Sequence, residues 1–217
     1  AVSFAFKLQA VFIMPIFVVL LIASRVKLWH FALFPATYVV LMLPAVLAGY
    51  PLLDTVTLYF DQMGTVGSAL NYNSSSIFAF FGNAENQSLA SALGIFAAFM
   101  LMAGVFAWAF AKRRRLNDWA ILGFAVILCV GIPYLLPHMH ERYFFLADIL
   151  TLALAVAAPE YMVLPILTQF ASLLGYHAYL KGRYLLPMSY GAAALAIVLI
   201  GALAFTAAQL RPARKKR

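Results

Sequence analysis

Between Arg183 and Arg211 there is not one Asp, Glu, Lys, Arg or His, and the same holds from Asn86 to Ala111. Apolar runs of about 20 residues suit a helix that crosses a bilayer, and in water they would aggregate. Helices are required because an open strand edge in hydrocarbon leaves backbone groups unpaired. The chain is 65% hydrophobic and 10% charged, whereas a soluble domain carries about 25% charged residues. The fold class is therefore all-α membrane, and a soluble reading is excluded.

Seven segments are candidate transmembrane helices: residues 8–24, 28–48, 89–111, 118–136, 143–158, 161–178 and 187–209. Pro159-Glu160 separates the fifth from the sixth, which as one helix would be too long for an ordinary span. With seven spans the inner face receives Arg25, Lys27, Lys112 to Arg115, Arg211, Arg214, Lys215, Lys216 and Arg217. The outer face receives only Lys7, Arg142, Lys181 and Arg183. This obeys the positive-inside rule, and merging the fifth and sixth spans breaks it. The expectation is a multi-pass protein of the cytoplasmic (inner) membrane with a cytoplasmic C-terminus. The net charge of +8 sits in clusters at the ends of apolar runs, where it orients helices among membrane lipids, so no nucleic-acid partner is implied. The lone Cys129 lies within an apolar run and serves as small apolar filler.

One connection is long. Within Tyr50 to Ser88, apolar Leu52, Leu53, Val56, Leu58, Tyr59 and Phe60 interleave with Asp54, Thr55, Thr57, Asp61 and Gln62. That pattern predicts a helix lying in the membrane interface on the outer side. A polar run, Asn71 to Ser76, and an aromatic patch, Ile77 to Phe81, follow it. Asn73-Ser74-Ser75 and Asn86-Gln87-Ser88 match the N-glycosylation pattern, which has meaning only in a secretory-pathway host.

The densest ionisable cluster is His138, His140, Glu141 and Arg142, between the fourth and fifth spans. Ionisable groups beside a membrane are costly and mark function by default. Arg142 offers a fork of donors for a phosphate, the histidines add hydrogen bonds, and Glu141 holds Arg142 in place. The plain alternative is a polar loop with a snorkelling arginine. A zinc site lacks a third ligand motif, so no metal ligand is assigned. Lys181 and Arg183 are weaker candidates for the same headgroup, within a belt formed with Tyr176, His177, Tyr179 and Tyr184. Lys112 to Arg115 and the C-terminal tail read as topology anchors.

The words around the cluster resemble a known family. Leu136-Pro137-His138-Met139-His140-Glu141-Arg142-Tyr143-Phe144-Phe145 is similar to a segment of bacterial polytopic mannosyltransferase-like proteins related to the GPI mannosyltransferase family. More broadly it resembles the membrane glycosyltransferases of the GT-C fold. Its His-Glu-Arg resembles the His-Glu-Lys/Arg signature of the dolichyl-phosphate-glucose glucosyltransferases. Lys7-Leu8-Gln9 ahead of an apolar helix, and the Asn73 to Phe81 stretch, fit the same families.

The resemblance covers most of the chain and implies transfer of a mannose-like sugar. The donor is a polyprenyl-phosphate carrier, the acceptor a lipid-linked or surface glycan, and the reaction lies on the non-cytoplasmic face. It implies that His140 and Arg142 meet the donor phosphate, that Glu141 orients them and that His138 assists. It assigns no cofactor with certainty and leaves a divalent metal open. The family's catalytic carboxylate lies in the first outer loop, yet no acidic residue precedes Asp54 here. The expectation is that residues 1–217 form the transmembrane C-terminal part of a longer enzyme whose general base lies upstream, with Asp54 and Asp61 as weak candidates. Two alternatives stand beside it, a lipid or sugar transporter (flippase) and a non-catalytic assembly subunit. A transporter places charged groups on broken helices near the bilayer midplane, whereas here the polar groups collect at one face.

Overall fold

The computed structural model describes residues 1–63, 69–81 and 86–211, with the backbone alone for 59–63. Its helices are α1 (Val2–Phe6), α2 (Ile16–Ile22), α3 (Leu33–Leu47), α4 (Leu52–Met63), α5 (Gln87–Ala111), α6 (Asp118–Leu135), α7 (Phe145–Ala157), α8 (Val163–Lys181) and α9 (Met188–Gln209). Two-residue strands β1 (Asn71–Tyr72) and β2 (Met139–His140) form the one sheet among the described residues. Short 3-10 turns link the helices, among them Leu8–Ile13, Leu28–Ala32, Ile77–Phe80, Glu141–Phe144 and Pro159–Tyr161.

The axis of the molecule is α6. The Asn117 side chain starts it by accepting a 2.7 Å hydrogen bond from the Ala120 N–H, which satisfies one of the free donors of the first turn. Pro137 follows its end and disfavours helix at Leu136, which is extended at ψ 141°. Every residue from Gly123 to Tyr134 is buried, enclosed by α9, α5, α7 and α2. Hydroxyls inside the bundle bond back to their own helices: Thr151 to Ala147, Thr168 to Leu164 and Thr206 to Ala202, each at 2.7–2.8 Å. Polar groups are thereby satisfied without water.

Among the described residues four helices are long and apolar enough to cross a membrane: Leu28–Leu47, Gln87–Ala111, Asp118–Leu135 and Met188–Gln209. The first has only 6% of its apolar window buried in the protein. Its side chains therefore need a nonpolar surrounding that the described residues do not supply. The other three expected segments are also helical but are shorter or more polar. Residues 8–24 break into a 3-10 turn and the seven-residue α2, with Pro15 between. Residues 143–158 form the 13-residue α7. Residues 161–178 form α8, which carries Thr168, Gln169, Ser172 and His177. The fifth and sixth segments are separate helices, folded antiparallel about the Pro159–Tyr161 turn so that Asp148 meets Ser172. The amphipathic stretch after Pro51 is helical too, as α4, which packs on α3.

Charge is sorted between the two ends of α6. Arg25 pairs with Asp118 at 2.6 Å at its start, next to the Arg113–Arg115 turn. Tyr161 and Phe205, in ring contact at 5.2 Å, bring the α7–α8 turn and the end of α9 to the same end. The His138–Arg142 segment lies beyond the other end. Arg214, Lys215, Lys216 and Arg217 lie outside the described residues.

The α6–α9 contact depends on Gly123, where a Cβ would collide with the Thr206 hydroxyl and the Phe205 ring. Gly123→Val is predicted to destabilise the protein by about 1–3 kcal/mol through overpacking. A Cβ at Gly104 meets nothing within 4 Å, so Gly104→Ala is predicted to be neutral or to stabilise by roughly 0.5–1 kcal/mol. Thermal unfolding in detergent micelles checks both, and equal midpoints for the two variants would contradict this packing.

Candidate functional site

The motif is held from the long connection by a strip of backbone. β1 pairs with β2 in parallel register, Asn71 opposite Met139 and Tyr72 opposite His140. The His138 N–H donates to the Leu70 carbonyl at 2.8 Å, and its Nδ1 lies 2.7 Å from the Ala69 oxygen. His138 achieves this at φ +61°, a left-handed conformation costing on the order of 1 kcal/mol for a non-glycine residue. Its ring is thus a strap on the backbone of the long connection. The Tyr72 ring stacks on the His140 imidazole, centroids 4.8 Å apart and 16° from parallel, and Tyr143 meets that imidazole edge-on at 5.6 Å.

The polar run after β1 is a buried plug. Ser74, Ser75 and Ser76 are all buried. Asn71 brackets Ser74 with both ends of its amide, at 2.9 and 2.8 Å. The Ser75 hydroxyl donates to the Ala171 carbonyl of α8 at 3.0 Å. Tyr184, beyond α8, donates to the Asn73 side-chain oxygen at 2.6 Å. Gly175 admits the motif against α8: a Cβ there would lie 2.8 Å from both the Asn73 carbonyl and the Glu141 Cβ.

On this support sit the charged groups. Glu141 is 4% exposed. Its two oxygens lie 3.9 Å from His140 Nδ1 and 3.8 Å from an Arg142 terminal nitrogen. These separations exceed hydrogen-bond length, so the contact is Coulombic and leaves the guanidinium donors for another partner. Burial holds the His140 pKa below the usual imidazole value, the Arg142 charge lowers it further, and Glu141 opposes both. His140 is therefore neutral at pH 7. The Arg142 guanidinium lies over the Tyr143 ring at 5.8 Å, and its Nε is buried without a hydrogen-bond partner among the described residues.

Arg142 opens on a cavity of about 420 Å³, walled on the motif side by Tyr143, Phe145 and Leu146 and on the α8 side by Tyr176. Lys7 and Gln9 line it from the N-terminal segment. The arrangement offers cationic donors beside an apolar and aromatic wall, which suits an anionic head on an apolar tail. Among the described residues no three His, Cys, Asp or Glu side chains gather as a metal-binding group.

Of the residues singled out from sequence, His140, Glu141 and Arg142 come together, while His138 serves the scaffold. Lys181 and Arg183 are exposed and do not line the cavity, although the Arg183 carbonyl lies 3.1 Å from His177 Nδ1. Asp54 is exposed on α4, and the Asp61 side chain lies outside the described residues. Sequence reasoning missed Lys7 and Gln9 as cavity residues, Tyr72 as the partner of His140, and Asp148. The Asp148 carboxylate is 7% exposed and accepts a 2.9 Å hydrogen bond from the Ser172 hydroxyl. Its signal was present, a lone carboxylate within the apolar run 145–157. Nothing in the sequence joins Tyr72 to His140.

Because the folded pKa of His140 lies below its unfolded value, the unfolded chain takes up a proton first as pH falls. The folded state is predicted to lose stability from about pH 6.5 downward until the folded pKa is passed, with no contribution above that window. Melting curves of the parent and His140→Gln across pH 7.5 to 5 check this: the midpoint difference between them should change only in the acid range.

Comparison with protein-family models, with curated proteins and with solved structures finds no match in any of the three.

Proposed function

We propose that this protein is an integral-membrane glycosyltransferase of the GT-C type. It passes a mannose-like sugar from a polyprenyl-phosphate carrier to a lipid-linked or surface acceptor. In this reading all seven apolar segments span the inner membrane, the C-terminus is cytoplasmic and the motif faces the other side. One observation carries it: Arg142, backed by the buried carboxylate of Glu141, opens on a cavity with apolar and aromatic walls. A polyprenyl phosphate has the matching chemistry, a charged head on a hydrocarbon chain.

The reaction breaks the bond between the sugar's anomeric carbon and the phosphate oxygen while the acceptor oxygen bonds to that carbon. The electron pair leaves with the phosphate, and the guanidinium of Arg142 stabilises the growing charge. Neutral His140, held by Tyr72, sits next to Arg142 without adding a like charge. The acceptor's proton passes to a carboxylate base, for which Asp54 and Asp61 are this chain's weak candidates.

The predicted outcome is Arg142-dependent sugar transfer in membranes that contain the full-length protein and polyprenyl-phosphate-linked sugars. Arg142→Ala should lower transfer by about 10²-fold or more, the scale seen when a donor to developing charge is removed. Arg142→Lys should fall between, since the ammonium lacks the planar fork. Transfer by Arg142→Ala at the parent's rate would sink the reading and leave the transporter and assembly-subunit alternatives.

A further inference from the structure

The cavity beside Arg142 has a second wall that the motif does not supply. α1 stops at Phe6 because Lys7 is extended, at φ −154° and ψ 118°, before the chain resumes as the Leu8–Ile13 turn. This break brings Lys7 and Gln9 to the cavity that Arg142 lines. No carboxylate lines it among the described residues. The side-chain carbonyl oxygen of Gln9 and the Nε of Arg142 are both buried without a hydrogen-bond partner among those residues. Two cationic side chains, Lys7 and Arg142, and the side-chain amide of Gln9 thus line one cavity.

The charge balance of the proposed reaction asks for the same parts. A sugar linked to polyprenyl phosphate is a phosphodiester with one negative charge. Once the sugar leaves, the carrier is a monoester that approaches two. Arg142, already partly neutralised by Glu141 at 3.8 Å, matches the donor better than it matches the departing carrier. A second cation on the same cavity matches the charge that appears only as the bond breaks, and such a group accelerates the chemical step rather than tightening donor binding.

Resting on the glycosyltransferase reading, we infer that the N-terminal segment completes the donor site. Lys7 is the second cation on the leaving phosphate, and the side-chain amide of Gln9 hydrogen-bonds a hydroxyl of the donor sugar. The two roles separate in kinetics, because one acts on the phosphate after cleavage and the other on the sugar before it.

The test uses the full-length protein in lipid nanodiscs with polyprenyl-phosphate mannose as donor and polyprenyl phosphate as product inhibitor. Lys7→Met should lower kcat about tenfold and weaken inhibition by polyprenyl phosphate about tenfold, with donor KM near the parent's. Lys7→Arg should restore most of both, which a purely structural role for the lysine would not produce. Gln9→Leu should raise donor KM about tenfold while inhibition by the bare carrier stays at the parent's level. Parent-like kcat and inhibition in Lys7→Met, or equal loss of donor and carrier binding in Gln9→Leu, would overturn the inference. So would inorganic phosphate competing as well as polyprenyl phosphate, since the site would then take free anions. Transfer that needs Arg142 but ignores Lys7 leaves the glycosyltransferase standing without its second cation. Polyprenyl phosphate bound through Lys7 and Arg142, with no sugar transferred, removes the enzyme and Gln9's role and keeps the cation pair.

Discussion

The two-residue parallel ladder between Asn71–Tyr72 and Met139–His140 is the contact on which the site rests. Each backbone hydrogen bond contributes only about 1 kcal/mol net, but this ladder does not act alone. The His138 strap extends it toward Ala69 and Leu70, and the serine plug carries it down to α8. The stacked pair Tyr72–His140 then fixes the imidazole from one side while Tyr143 limits it from another. Break the ladder and the long connection loses its hold on the motif. His140 loses its stacking partner, and Glu141 its packing between α8 and Asn73.

The second organising fact is the distance between the two charged ends. An 18-residue α6 rises ~27 Å, close to the ~30 Å hydrocarbon thickness of a bilayer. The basic cluster of Arg25 and Arg113–Arg115 lies at its start and the His-Glu-Arg group past its finish. Apolar residues fill the space between, and the hydroxyls there bond within their own helices. The guanidinium of Arg142 and the apolar wall of its cavity therefore lie side by side at one end.

Much of the architecture was legible in the residues, because apolar length and charge placement act locally along the chain. The separation of α7 from α8 followed from Pro159-Glu160 and the distribution of basic residues. The helix after Pro51 followed from its interleaved polar and apolar positions, and the motif from its density of ionisable groups. What periodicity does not carry is pairing between distant segments. Ser74 to Ser76 read only as a polar run, because three serines between asparagine and isoleucine look the same whether they face water or, as Ser75 does, bond to α8. His138 read as a ligand group, and only the left-handed backbone and the Ala69 contact reveal a strap. Lys7 and Gln9 read as the lead-in to an apolar helix, since their cavity exists only once the N-terminal segment is docked beside Arg142.

The ladder also sets a clock. Its two halves are separated by 68 residues, the interval from Asn71 to Met139. At about 5–20 residues per second of synthesis, β1 emerges roughly 3–14 s before its partner. During that interval the Tyr72 strip, its unpaired backbone and the three serines have neither β2 nor α8 to receive them. The site is consequently assembled late, after α5 and α6 have been made. A chain stalled or truncated before His138 holds the Asn71–Ser76 strip without the strand that pairs with it.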